Sequence, residues 1–349
     1  MEFELKSADC HIKIDLVNKY TYVNGRSASG KSLIIEEINS VSTNIDSEDA
    51  YIKCELPVQV VSSNKADDRK YSSGIVYFAD EQYAWQTIQD TMGVDCYVVI
   101  ASRNVHSNLN VALNAVYCIV NDRGTYKAMR RYRTIETEFR QPELVICEDS
   151  ASGFEFWKKA PCWTRGTLII TSHGKSNLAA EIKKATLNNE CKNILVICDA
   201  GGLANEATKI CKEASKAHKA GVNIQFLIPV CFEHVLMCTE LVGHKLDVYG
   251  DFDKRDNSIE TCCEKYINKI TKGKPYEHNH KYGRLSECWT EECIDCKNEC
   301  RYKVNRPKWI SNLENGPAAG LLLGGKNNGY IVTLEDMSKP MRKAGILVE

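Results

Sequence analysis

A phosphate-binding pattern near the amino terminus is the clearest chemical signal in the chain. The stretch NGRSASGKS, residues 24–32, contains G-x-x-x-x-G-K-[ST], the P-loop pattern. In such a loop, backbone N–H groups surround a phosphate, the lysine reaches the β- and γ-phosphates, and the last hydroxyl binds Mg²⁺. We therefore predict a nucleotide site in this stretch. Its predicted binding residues are Gly25, Ser27, Ser29, Gly30, Lys31 and Ser32.

An acidic pair follows the next strongly apolar run. Residues 74–79, GIVYFA, read as a buried strand, and Asp80 and Glu81 come directly after it. Asp80 is predicted to hold the water shell of the Mg²⁺ ion, and Glu81 to polarise the attacking water. The alternative is a buried strand that ends in two acids by chance. A further strand, 96–101, ends in three polar residues that could sense the γ-phosphate, Ser102, Arg103 and Asn104.

The elements that must position these residues can be read from periodicity. The runs 11–16 and 20–23 predict strands before the loop, and residues 32–38 have apolar side chains at helical spacing after it. Strand, glycine-rich turn and helix is the arrangement that phosphate binding requires. A hairpin is predicted at 115–129. The basic residues after this hairpin, Arg130, Arg131 and Arg133, are interpreted as a solvated strand edge, with phosphate contact as the alternative.

The second half of the chain alternates strands with helices. Apolar runs predict strands at 144–147, 168–170, 194–198 and 223–228, and helices are predicted at 154–160, 179–187 and 204–220. This order indicates right-handed βαβ crossovers and a parallel sheet. Acids come after three of the strands, at Glu148, Asp199 and Glu233. Carboxylate oxygens at one rim suit Mg²⁺, so these acids are the candidate catalytic and metal-binding residues of this half.

A cysteine cluster lies near the carboxyl terminus. The cysteines at 288, 293, 296 and 300 have the spacing C-x4-C-x2-C-x3-C, and His278 and His280 precede them. Four soft ligands this close can hold zinc, with a histidine able to replace one cysteine. An iron–sulfur cluster and a loop of reduced thiols are the alternatives. The predicted zinc ligands are Cys288, Cys293, Cys296 and Cys300.

Bulk composition sets the remaining limits. The chain has 349 residues, 43% of them hydrophobic, and a net charge of −1, so no global basic field indicates nucleic acid. The amino terminus does not resemble a signal peptide, and no apolar run approaches the roughly 18 residues of a membrane span. We expect a cytoplasmic protein with no membrane partner. The predicted fold is α/β, with two parallel-sheet domains at 1–140 and 141–255 and a Cys-rich extension at 256–349.

The first domain resembles the ATPases related to ABC transporters and chromosome-maintenance proteins, in which an Asp-Glu pair ends the strand that faces the P-loop. The resemblance covers about residues 10–105. It implies ATP and Mg²⁺ as ligands and hydrolysis as the reaction. Two features differ from that family: the loop and the acidic strand are only about 40 residues apart, and there is no Leu-Ser-Gly-Gly signature.

The second domain resembles a Toprim domain, the metal-binding module of topoisomerases, primases and overcoming-lysogenization-defect nucleases. Glu148, the turn at 174–177 and Asp199 match that family's pattern, and Glu233 is similar to a later acid of those nucleases. Gly201 replaces a second aspartate. The resemblance implies an ATPase whose nucleotide state controls a metal-dependent nuclease acting on DNA or RNA. The alternative is an ATP-dependent switch with an inactive Toprim-like domain, acting through a protein partner or a second copy.

Overall fold

The structure is a computed structural model that describes residues 1–25, 29–43, 50–61, 71–106, 109, 111–150, 152–159, 163–188, 190–229, 232 and 331–338. These residues divide into two units. The first contains Met1–Arg133 and residues 335–338, and the second contains the described residues between Thr134 and Leu334. The chain therefore leaves the first unit after Arg133 and returns to it at Glu335.

The first unit is built on a nine-stranded, curled, mixed sheet with the order β4-β1-β2-β9-β8-β3-β7-β6-β5. Its strands are β1 (Glu2–Lys6), β2 (Cys10–Asp15), β3 (Tyr20–Asn24), β4 (Tyr51–Lys53), β5 (Val58–Val61), β6 (Val76–Asp80), β7 (Tyr97–Ser102), β8 (Val116–Asp122) and β9 (Thr125–Arg130). Its helices are α1 (Lys31–Thr43) and α2 (Glu81–Thr91), with a short 3-10 turn at Leu113–Ala115.

The prediction of a parallel sheet in the first domain is confirmed for only part of the sheet, which is mixed. The pairs β3–β7, β7–β6 and β6–β5 are parallel, but β1–β2, β1–β4 and β8–β9 are antiparallel. Loop length explains the pairs β1–β2 and β8–β9, because two or three residues can join antiparallel neighbours only, whereas a parallel connection needs a long crossover. The parallel strands β8, β3, β7, β6 and β5 form the part of the sheet that carries the predicted nucleotide site.

The core of the first unit lies between this sheet and α1. Alternate residues of the first two strands point inward, such as Phe3 and Ile12, and α1 contributes Ile34 and Ile38 four residues apart. All four are almost fully buried, and Phe3 packs on Phe78 with ring centroids 4.6 Å apart. Fully burying each such side chain contributes about 1.5–3 kcal/mol. The packed core therefore holds α1, and with it the end of the predicted phosphate loop, against the sheet.

The second unit has a six-stranded, mostly parallel sheet with the order β10-β15-β14-β13-β11-β12. Its strands are β10 (Tyr132–Glu136), β11 (Leu144–Cys147), β12 (Leu168–Thr171), β13 (Asn193–Ile197), β14 (Asn223–Leu227) and β15 (Ile331–Asp336). Its helices are α3 (Ser152–Lys159), α4 (Lys175–Asn188) and α5 (Leu203–Lys219). The four central strands are parallel, and β15 is antiparallel to β14.

Most of the predicted elements are confirmed to within four residues at each end. The strands β1, β4, β5 and β10 and the helix α2 were not predicted. Glu233, the cysteine cluster and most of the predicted extension at 256–349 lie outside the described residues, so these predictions stand as they were made. No helix in the described ranges is both long enough and apolar enough to cross a membrane.

Candidate functional site

The predicted phosphate loop lies where the chain leaves β3 and enters α1. Ser27 lies outside the described residues, but both pattern glycines are described. A Cβ on Gly25 would overlap the Ser29 side chain. Gly30 has φ +80°, and a Cβ there would lie 3.2 Å from the Tyr126 ring. At both positions a Cβ would therefore meet a neighbouring side chain, whereas a Cβ at Gly74 or Gly93 would meet nothing within 4 Å.

Lys31 folds back over this loop. Its Nζ donates to the backbone oxygen of Gly25 at 2.8 Å and to Ser29 Oγ at 3.3 Å, and the residue is only 7% exposed. Burial lowers the pKa of Lys31, and the nearby charges of Glu81 and Asp80 act in the opposite direction. A buried ammonium is a group that an anionic ligand can stabilise through charge-assisted hydrogen bonds. Ser32 is exposed in the first turn of α1.

The two predicted acids lie where β6 ends and α2 begins, and β7 separates β6 from β3 in the sheet. Asp80 of β6 is aligned with Ala101 of β7, which is aligned with Val23 of β3. Two strand spacings separate β6 from β3, so the Cα atoms of Asp80 and Val23 lie about 10 Å apart. Asp80 also accepts a hydrogen bond from the Glu81 amide at 2.7 Å and is the N-cap of α2. This capping role was not predicted from the sequence, because α2 was not predicted.

Glu81 contacts the residue after β7. Its carboxylate lies 3.2 Å from Arg103 Nε and accepts weakly from the Arg103 amide at 3.4 Å. Both side chains are well exposed, and such pairs contribute about 0–1 kcal/mol, so a ligand could displace either partner. The other two candidate sensors form a local turn, with Ser102 Oγ donating to the Asn104 carbonyl at 2.9 Å. Loop, acids and Arg103 thus meet at the carboxyl edge of the parallel strands, where α/β sheets bind ligands.

A buried polar network beneath the loop was not anticipated. Asn24, the last residue of β3, donates to the Arg103 carbonyl at 2.7 Å and accepts from Arg131. Arg131 also contacts Asp336, with Nη2 3.2 Å from Oδ2. The interpretation of the basic run as solvated is therefore wrong for Arg131, whereas Arg130 does form an exposed pair with Asp15. No local signal exists for a partner 205 residues away.

In the second unit, Glu148 and Asp199 follow the neighbouring parallel strands β11 and β13. The backbone N–H of Asp199 donates to Glu148 Oε2 at 3.0 Å. Lys175, the first residue of α4, places its Nζ 3.5 Å from the other carboxylate oxygen of Glu148. Burial raises the pKa of Glu148, and Lys175 and the Asp199 amide act against that rise. Both carboxylate oxygens of Glu148 therefore face protein donors.

Backbone hydrogen bonds and left-handed residues shape the turns around Glu148. His173 and Gly174 have φ values of +56° and +113°, so the chain turns sharply before α4. The Gly174 amide donates to the Glu148 carbonyl at 2.8 Å, and Asp149 accepts from the Gly153 amide at 2.7 Å at the start of α3. Among the described residues no group of three or more His, Cys, Asp or Glu side chains could hold a metal ion. The predicted third acid, Glu233, is not among these residues.

Comparison of the chain with protein-family models, curated proteins and solved structures gave no match. The resemblances to P-loop ATPases and Toprim domains therefore stay predictions.

Proposed function

We propose that this protein binds ATP with Mg²⁺ at the loop after β3, hydrolyses it, and uses its nucleotide state to control the Toprim-like second unit. The observation that carries the proposal is the placement of Lys31. Its ammonium donates to the loop at Gly25, and the carboxylates of Asp80 and Glu81 lie near it. Lysine, loop amides and carboxylates are the groups that a Mg²⁺-bound triphosphate needs.

Each group has a distinct task in this proposal. Lys31 would exchange its contacts with the Gly25 carbonyl and Ser29 hydroxyl for phosphate oxygens. Ser32 and Asp80 would hold the Mg²⁺ ion, which neutralises charge on the phosphates. Glu81, released from Arg103, would orient the attacking water, and Arg103 would then be free to contact the γ-phosphate.

Calorimetric titration with Mg²⁺–ATP tests the binding step. Lys31→Ala should weaken binding by at least about tenfold, since a hydrogen bond to a charged group contributes about 1.5–3 kcal/mol. Lys53→Ala, at an exposed lysine of β4, is the matched control and should bind as the wild type does. Equal affinities in the two variants would contradict the assignment of the loop.

For the second unit, the leading candidate is a Mg²⁺-dependent nuclease in which Glu148, Asp199 and Glu233 bind the metal. Incubating the protein with supercoiled plasmid, ATP and Mg²⁺ tests it. Glu148→Gln and Asp199→Asn should each abolish nicking, whereas Glu190→Gln, at an exposed position before β13, should not. Nicking that survives both active-site changes would exclude these residues as metal ligands.

One observation favours the second candidate, an ATP-dependent switch without nuclease activity. Lys175 and the Asp199 amide occupy both oxygens of Glu148, which is where a metal ion would bind. In this case the plasmid stays intact, and ATP instead changes the association of the protein with itself or with a partner. Sedimentation of the wild type with and without Mg²⁺–ATP measures self-association directly. An unchanged sedimentation coefficient would count against association between copies.

A further inference from the structure

The two chain crossings between the units are joined by one buried ion pair. The chain leaves the first unit through β10 and returns to it through β15, and these strands are neighbours in the six-stranded sheet. On the side of the first unit, Arg131 precedes β10 and Asp336 ends β15. The Met337 amide donates to the Arg131 carbonyl at 2.9 Å, so backbone and side chains both join the two crossings.

The Arg131–Asp336 ion pair is buried, and several hydrogen bonds fix its geometry. The Asp336 side chain is 2% exposed and the Arg131 side chain 13% exposed. Asp336 accepts from Arg131 and from both the amide and the hydroxyl of Ser338, at 3.1 Å and 2.5 Å. Burial favours the neutral acid, but the Arg131 and Ser338 contacts hold the pKa of Asp336 below its usual range. A buried ion pair whose members make several hydrogen bonds tolerates few other geometries.

The network continues from this pair to the nucleotide site. Arg131 donates to the side-chain oxygen of Asn24, whose amide nitrogen donates to the carbonyls of Ser102 and Arg103. Arg103 in turn pairs with Glu81. Asn24 also directly precedes Gly25, the first glycine of the phosphate loop. A shift of Asp336 would therefore alter the hydrogen bonds that hold both the start of the loop and the segment that carries Arg103.

We propose that the Asp336–Arg131–Asn24 network is a positioning device that couples nucleotide occupancy to the two chain crossings at β10 and β15. The inference rests on the proposed ATPase function and identifies its transmission element. None of the three residues needs to touch the nucleotide. Arg131 and Asp336 act through Asn24, and Asn24 acts through the segment that carries Arg103.

Steady-state ATP hydrolysis by Asp336→Asn tests the positioning role. We expect kcat to fall by about tenfold or more with KM changed much less, because small misplacements of catalytic groups cost rate more than binding. Asp15→Asn is the matched control, because it makes the same Asp-to-Asn change in another Asp–Arg ion pair. Asp15 pairs with Arg130, next to Arg131 in the chain, and both side chains of that pair are 48% exposed. This control should keep wild-type kcat. Equal kcat values for the two variants would overturn the proposal.

Hydrogen exchange in the wild-type protein supplies a test that needs no variant. Nucleotide should slow exchange of the Met337 and Ser338 amides, by up to about a hundredfold at 100 times Kd, the limit set by linkage. Unchanged exchange in a protein that binds and hydrolyses ATP would overturn the coupling alone. A wild-type protein with no ATP turnover would overturn the proposed function and this inference together.

Discussion

A substitution at Gly30 should show most clearly that the loop is built for a ligand. Gly30→Ala places a side chain at φ +80°, and its Cβ would lie 3.2–3.3 Å from Tyr126 and Ile119. The left-handed conformation costs a non-glycine residue about 1–2 kcal/mol. Overpacking against the two neighbours adds about 1 kcal/mol, the low end for an inserted methyl group. We therefore expect the free energy of unfolding to fall by about 2–3 kcal/mol.

Gly74 offers a matched control within the same unit. Its φ is +75°, but a Cβ there meets nothing within 4 Å, so Gly74→Ala carries the backbone cost alone, about 1–2 kcal/mol. Urea unfolding of both variants measures the difference, and titration with Mg²⁺–ATP measures its consequence. Gly30→Ala should lose ATP affinity, whereas Gly74→Ala should keep it. Equal stabilities and equal affinities would refute the steric reasoning about the loop.

Three further predictions concern charged side chains. Lys19 donates to the Thr91 and Val94 carbonyls at the end of α2, so Lys19→Met should cost about 1–3 kcal/mol in urea unfolding. Hydrogen bonds from His11 and Lys13 lower the pKa of Glu4 to about 2, so its stabilising effect, measured against Glu4→Gln, should be complete above pH 4.5 and disappear as the pH falls through about 2. Burial raises the pKa of Glu148, so the wild-type protein should lose stability as the pH rises through this raised pKa. The Tm of Glu148→Gln should therefore rise relative to that of the wild type with increasing pH. A Tm difference that stays constant with pH would contradict this prediction.

The strands and helices that carry the candidate sites were largely predictable from sequence. Buried parallel strands read as continuous apolar runs, which is why β6, β7, β11, β13 and β14 could be placed. Helix α2 was missed because its buried face contains Thr87 and Thr91 beside Ala84 and Ile88. Half of that face is polar, so no apolar stripe marks it. The edge strand β10 was missed for a similar reason, since most of its residues are exposed.

The residues of the candidate nucleotide site were easier to locate in the sequence than the groups that hold them. Lys31, Asp80 and Glu81 follow from spacing relative to a strand, because the carboxyl end of a parallel strand is a fixed place in the fold. The partnership of Arg131 with Asp336 depends on which strands become neighbours. That pairing is a property of the whole topology and leaves no mark on either local sequence.

Single-turnover hydrolysis of ATP tests the central claim most directly. The wild-type protein should convert bound ATP to ADP in the presence of Mg²⁺. Glu81→Gln should bind ATP and retain it unhydrolysed through gel filtration, because the amide cannot orient the water as the carboxylate does. Glu36→Gln, at an exposed glutamate of α1, should hydrolyse ATP at the wild-type rate. Hydrolysis at the wild-type rate in Glu81→Gln would contradict the account.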